Sequence, residues 1–134
     1  MEINLTPSGE VNEFSLVDFY QNLRKHANLT AAEFNIEAAA IFTDSIFLFN
    51  RGKNIILKFS LTGFQNYISN NGEIPEIEIF EISLPEINGI ISGFSGATID
   101  TEKELILFTS TVEDTENWID DGEILGSFIG VIKL

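Results

Sequence analysis

The sequence predicts a mainly β protein of antiparallel, four-stranded, propeller-type blades, about two to two and a half of them, each with a short inserted helix. Three observations carry this. Phe14-Ser15-Leu16-Val17-Asp18-Phe19 lays over Phe59-Ser60-Leu61-Thr62-Gly63-Phe64. Asn35-Ile36-Glu37-Ala38-Ala39-Ala40-Ile41 lays over Gly93-Phe94-Ser95-Gly96-Ala97-Thr98-Ile99, and each copy is followed by a polar turn and an apolar strand. The small residues after Glu37 and Ser95 suit strands crowded against their neighbours, as innermost blade strands are around a central axis.

The elements follow in order. Each F-S-L ends a strand and opens a helix. In the first copy Leu16, Phe19, Tyr20 and Leu23 share one helical face, Ser15 is the expected N-cap, and Lys25 and His26 fall in the last turn. Strands are expected at 36–42, 46–50 and 54–60, then a shorter helix from Phe64 to Ser69 that stops at Asn70-Asn71-Gly72. A fourth strand at 76–84 places Ile77 and Ile79 on one face and Phe80, Ile82 and Leu84 on the other, which predicts a bulge near Phe80. Strands at 95–99, 104–111 and 124–133 complete the pattern, with Asp44-Ser45 and Thr101-Glu102-Lys103 as tight turns. One domain, 1–134, is thereby divided into the end of a preceding blade with its helix (1–34), a full blade (35–92) and an incomplete following blade (93–134). Closed propellers hold at least about four blades. The chain is therefore expected to be part of a larger assembly or to complete itself by pairing with another copy.

Composition narrows the partners. A net charge of −14 with seven basic residues argues against nucleic acid and anionic membrane, both of which require a Lys/Arg patch. The absence of cysteine removes disulfides, thiolate metal sites and a thiol nucleophile, and the single histidine, His26, leaves no basis for a Ser-His-Asp triad or a multi-histidine metal site. No segment approaches the ~18 apolar residues of a membrane span. The opening MEINLTPSGEVNEF lacks a basic, apolar leader pattern, so a cytoplasmic location is expected if that start is native.

The segments NIEAAAIFTDSIFLFNRG, SGFSGATI and FTSTVEDTENWIDDGEILGSFIGVI resemble a family of uncharacterised bacterial proteins predicted to be six-bladed propellers. The likeness runs over the whole chain and matches the later half of such a protein. The family's usual Ile-Glu-Gly-Ala has Ala38 in place of its glycine here, which still allows close packing. The resemblance implies a fold and a set of motif residues, Glu37, Asn50, Arg51, Gly52, Ser95, Gly96, Glu113, Asp114, Asp121, Gly122 and Glu123, and no established activity. More distantly, the E-A-A and F-S-G-A pattern is similar to propellers of the gluconolactonase and esterase-like phytase kinds, in which channel carboxylates can hold a divalent cation.

Blade geometry predicts which of these residues meet. Successive strands alternate direction, so the start of an innermost strand and the connection between second and third strands lie at the same mouth of the channel. Glu37 and Ser95 begin innermost strands, while Asn50-Arg51 and the acidic Glu113–Glu123 stretch are second-to-third connections. The mouth therefore presents Glu37, Asn50, Arg51, Ser95, Asp121 and Glu123 as candidate ligand-binding residues, and Glu37, Asn50, Glu113 and Asp114 as a candidate set for a hard cation such as calcium. The alternative is structural: Asp114, Asp120 and Asp121 hold the loop through backbone bonds while Trp118 and Ile119 plug the blade. Arg51 either clamps an anionic ligand or pairs with Glu37, Glu113 or Asp114. Ser95 lacks both a G-x-S-x-G elbow and a histidine partner. The leading reading is a ligand-binding or protein-interaction module with an acidic channel mouth. The alternatives are a metal-assisted hydrolase of lactonase or phosphoesterase type and a purely structural piece of a larger propeller.

Overall fold

In the computed structural model, residues 13–70, 72–115 and 122–134 are described. Helix α1 spans Val17–His26, and then β1 (Ile36–Phe42), β2 (Ser45–Asn50) and β3 (Ile55–Ser60) form an antiparallel meander with a 3-10 turn at Gly52–Asn54. Helix α2 (Leu61–Asn70) leads to β4 (Glu78–Glu81), which closes a sheet of order β1-β2-β3-β4. A small hairpin, β5 (Glu86–Ile87) and β6 (Ile90–Ile91), precedes a second meander of β7 (Gly93–Asp100), β8 (Leu105–Asp114) and β9 (Glu123–Lys133), ordered β7-β8-β9. The architecture is mainly β with antiparallel sheets, as predicted.

Two apolar layers sandwich the first sheet. On one face Ile46, Leu48, Ile55, Leu57 and Phe59 pack against Phe19 and Leu23 of α1 and Phe64 and Tyr67 of α2. On the other, Ala40, Phe47, Phe49 and Ile56 meet Phe94, Ile106 and Phe108 of the second sheet. Phe94 sits edge-on to both Phe49 and Phe108 at 5.3 Å, the geometry aromatic quadrupoles favour. Both parities of β2 and β3 are thus buried, which is why these strands read as near-continuous apolar runs. The small residues serve the predicted purpose: β1 lies against β7, with Ala38, Ala40 and Ala97 in the shared layer.

The second sequence correspondence is structural. Pairing of β1 with β2 slips between Ile36 and Ala38, and pairing of β7 with β8 slips between Phe94 and Gly96, so Glu37 and Ser95 are β-bulge residues at the same aligned position. A further bulge lies between Val112 and Glu113.

Several expectations are corrected. No bulge occurs near Phe80, because β3 and β4 pair in unbroken register. Ile77 and Ile79 face the helices while Ile82 faces the second sheet, so apolar residues of both parities need no phase shift in a sheet covered on both sides. Ser15 does not cap α1, whose N-cap is Leu16 without a side-chain hydrogen bond. In the second copy the equivalent Ser60 does accept from the Gly63 N–H at 3.0 Å, aided by Asp44, which accepts from the Thr62 N–H at 2.8 Å. Helix α2 is longer than expected as a result. The β5–β6 hairpin was not anticipated, and the strand expected before Phe14 falls in 1–12, outside the described residues.

Candidate functional site

The starts of β1 and β7 and the ends of β2 and β8 lie at the same end of the two sheets. There Asn50 is fully buried at the end of β2. The Asn35 N–H donates to Asn50 Oδ1 at 2.7 Å, and Asn50 Nδ2 donates to the carbonyls of Glu33, at 2.9 Å, and Gly52. The Arg51 N–H closes the same turn on the Asn35 carbonyl at 2.8 Å. Asn50 thus ties the segment entering β1 to the turn leaving β2, and its amide is spent on backbone. Gly52 is required by space: a Cβ there would stand 1.8 Å from the Glu33 carbonyl oxygen.

Arg51 runs from this turn into the second unit. Its guanidinium Nη1 lies 2.9 Å from Glu113 Oε1 at the end of β8, with side chains only 9% and 14% exposed. Its stem passes over Gly93, where a Cβ would come within 2.5 Å of Arg51 Cγ. Of the two readings of Arg51, the geometry displays the ion pair, and of the three candidate acids it selects Glu113. Asn54 makes a parallel link: Nδ2 donates to the Ser92 carbonyl at 2.8 Å and Oδ1 accepts from the Phe94 N–H at 3.2 Å. Asn54 has a positive φ of 48°, which Asn tolerates better than most residues. Beneath it the buried Ser92 and Ser110 hydroxyls meet at 3.0 Å.

The remaining candidates are placed differently. Glu37 is exposed, and its Oε1 accepts from Asn35 Nδ2 at 2.8 Å. Ser95 sits in a hydroxyl ladder, donating to Thr109 Oγ1 at 3.0 Å and accepting from Thr111 Oγ1 at 3.1 Å, with Ser127 3.2 Å further along. Among the described residues its hydroxyl partners are Thr109 and Thr111, not a base. Asp114 and Glu123 oppose each other across the β8–β9 pair, so the strands continue further than expected and the connection shortens to 115–122. Asp121, with Trp118, Ile119 and Asp120, lies outside the described residues. Among the described residues, no three acidic or histidine side chains converge on a cation position, so Glu37, Glu113 and Asp114 are not brought together as ligands.

Sequence reasoning singled out Asn50, Arg51 and Glu113, which the structure shows bracing backbone and forming an ion pair, and it passed over Asn54 and Gly93. The signal for Gly93 was present, since it aligns with Asn35 at the entrance to an innermost strand. The signal for Asn54 was its type and place, an asparagine after Arg51-Gly52-Lys53 in a turn, where asparagine tolerates the positive φ the structure shows.

Fold and site together define a class: an antiparallel β protein of two repeated sheet units, docked face to face and bolted by an Arg–Glu pair and a buried asparagine. The match to a family model, over residues 1–134, agrees with this unity, and the chain belongs to that family of unknown function, DUF6929. Neither a curated protein nor a solved structure matches it.

Proposed function

We propose that the chain is a protein-interaction module of propeller-type blades, and that the outer face of β7–β8–β9 receives a further antiparallel β-sheet. The observation that carries this is register equivalence. Across the first sheet the rows Ala38–Phe49–Ile56 and Ala40–Phe47–Lys58 face the second unit. Their counterparts across the second are Gly96–Thr109–Ile129 and Thr98–Leu107–Val131. The first set has Phe49, Phe47 and Ile56 buried, whereas in the second Ile129 is 82% and Val131 56% exposed. A face used for sheet-on-sheet packing in one unit is bare in the next, and contiguous bare apolar surface marks an interaction site.

The chemistry of the occupant follows from the existing contact. The first sheet's covered face meets the aromatic and aliphatic set Phe94, Ile106 and Phe108. A sheet presenting similar side chains fits the bare one. Among the described residues no strand pairs the outer edge of β9, which supports the same reading, because β3, its counterpart, is paired by β4. In this reading the Asn50–Arg51–Glu113 mouth is the frame that fixes the angle between units.

Light scattering over a concentration series tests the proposal. With no other sheet present, the isolated chain is expected to self-associate through this face, and Ile129→Lys is expected to abolish that association without lowering the melting temperature. A monodisperse monomer at high micromolar concentration for both proteins would refute it.

A further inference from the structure

We propose that Asn88-Gly89, at the tip of the β5–β6 hairpin, is a self-modification site, where the asparagine converts through a cyclic imide to isoaspartate and aspartate and the isoaspartate form releases the hairpin from β9. In the first step the Gly89 backbone nitrogen attacks Asn88 Cγ. An N–C bond forms, the Cγ–Nδ2 bond breaks, and ammonia leaves with the proton of the Gly89 N–H. Water then opens the imide. Breaking the bond from the imide nitrogen to Cγ gives aspartate; breaking the bond to the Asn88 backbone carbonyl carbon gives isoaspartate, with the chain now running through the side chain. Water is the only co-reactant, and nothing is oxidised or reduced. The site is independent of the outer face discussed above, and the failure of either reading leaves the other standing.

Local geometry singles out this asparagine. Asn88 and Gly89 are both exposed and have positive φ values of 53° and 79°, the pattern of a two-residue type I′ turn, in which Asn-Gly is a favoured sequence. A Cβ at Gly89 would meet nothing within 4 Å, so neither a side chain of its own nor a packed neighbour crowds the attacking nitrogen from that direction. The attack requires the Asn88 backbone to leave its turn conformation. That opening is cheap here, because the hairpin is held by the pairs Glu86↔Ile91 and Ile87↔Ile90 alone, and a short two-stranded ribbon is marginally stable. Other asparagines are shielded. Asn22, Asn28 and Asn66 precede the bulky Leu23, Leu29 and Tyr67, while Asn50 and Asn54 are buried and held by hydrogen bonds. Asn71-Gly72 is the chain's other Asn-Gly pair, and Asn71 lies outside the described residues.

The position of the hairpin gives the reaction a structural consequence. Ile87 packs onto β9, since a Cβ at Gly126 would stand 2.6 Å from Ile87 Cδ1. At the base of the hairpin the Ser92 N–H donates to the Pro85 carbonyl at 2.8 Å, next to the Ser92 carbonyl that accepts from Asn54. Isoaspartate inserts a methylene into the backbone of the turn, and a two-residue loop fixes strand register too tightly to absorb it. The Ile87↔Ile90 pairing is then lost and Ile87 leaves Gly126. Aspartate adds the same negative charge but keeps an Asp-Gly turn, so it leaves the hairpin closed. The hairpin therefore acts as a one-way clock on one flank of the second sheet.

Ageing the protein in heavy-oxygen water at mildly alkaline pH, followed by digestion in ordinary water with a glutamate-specific protease and mass spectrometry, tests the site. The fragment 87–102 contains Asn88 as its sole asparagine. It is expected to gain the deamidation mass together with a heavy oxygen, with isoaspartate, read by isoaspartyl methyltransferase labelling, as the larger product. The native protein should convert within roughly ten-fold of the rate of the synthetic peptide 84–92, the margin for a hairpin that opens at small cost. Asn88→Gly, which keeps a Gly-Gly turn, should show no mass gain in this fragment. Hydrogen exchange should show β5–β6 amides unprotected in the isoaspartate form and protected in Asn88→Asp. A native rate below that margin, a mass gain without heavy oxygen, or β5–β6 protection that survives in the isoaspartate form would overturn the inference.

Discussion

Removing the Glu113 carboxylate should be far more damaging than removing the ion pair altogether. Arg51 and Glu113 meet at 2.9 Å with nine-tenths and six-sevenths of their side chains covered, so Glu113→Ala strands a guanidinium between two sheets with no anion to answer it. Breaking a buried pair from one side typically costs about 3–5 kcal/mol. The residual exposure here lets water reach part of the orphaned charge, which brings the expectation to about 2–3 kcal/mol. Replacing both partners by apolar residues of similar bulk, Arg51→Met with Glu113→Leu, removes the desolvation penalty along with the attraction and should fall within about 1 kcal/mol of the parent protein. Urea unfolding of the parent, both single variants and the double variant closes a double-mutant cycle, in which the coupling is expected to exceed about 1 kcal/mol. Additive single effects, or a loss below about 0.5 kcal/mol for Glu113→Ala, would refute the view that this pair bolts the units together.

Three further outcomes are expected. Asn50→Ala removes the bonds it makes to the Asn35 N–H and to the Glu33 and Gly52 carbonyls, and should cost about 2–4 kcal/mol in urea unfolding, whereas an isolated surface amide would cost almost nothing. The carboxyl of Asp44 is held below its ordinary value of 3.8, first by the Thr62 hydroxyl, then by the Ser60 hydroxyl and the Thr62 N–H. A depressed folded-state pKa contributes stability above the ordinary value and loses it as pH falls through the folded one; melting temperature between about pH 5 and 3 should therefore drop less steeply in Asp44→Asn. Millimolar calcium should leave the melting temperature unchanged, since Asn50 is committed to backbone and Glu113 to Arg51. A calcium-induced rise, reversed by chelator and absent in Glu37→Gln, would restore the cation reading.

Strands were legible wherever burial on both faces left a dense apolar signature, as in Ile46–Phe49 and Ile55–Leu57, and α1 was legible from Phe19 and Leu23. The same double burial misled the reading of β4, since apolar residues of both parities resemble a phase shift until the second layer is known. Ser15 and Ser60 occupy matching positions in the two F-S-L copies, yet only Ser60 caps; the difference is Asp44, supplied by a turn distant in sequence. Of the expected site residues, the proximity of Arg51 and Glu113 was legible from the strand order. Which acid Arg51 would choose was not, because Glu37, Glu113 and Asp114 are chemically alike and only the path over Gly93 decides between them. Asn50 shows the same limit: its type suits a ligand oxygen as well as a buried brace, and its full burial in backbone bonds makes it the brace.

The helices covering the outward side of the first sheet have a consequence for how copies can join. Phe19, Leu23, Phe64 and Tyr67 occupy the surface that another copy's bare β7–β8–β9 face would need for head-to-tail stacking. Open-ended growth requires two complementary patches left free on each molecule, and here one of them is plugged. Copies that meet through their bare faces must therefore do so about a two-fold axis, which uses up both surfaces at once and stops. Under the proposed face-to-face association the helical cover works as a chain terminator for that surface.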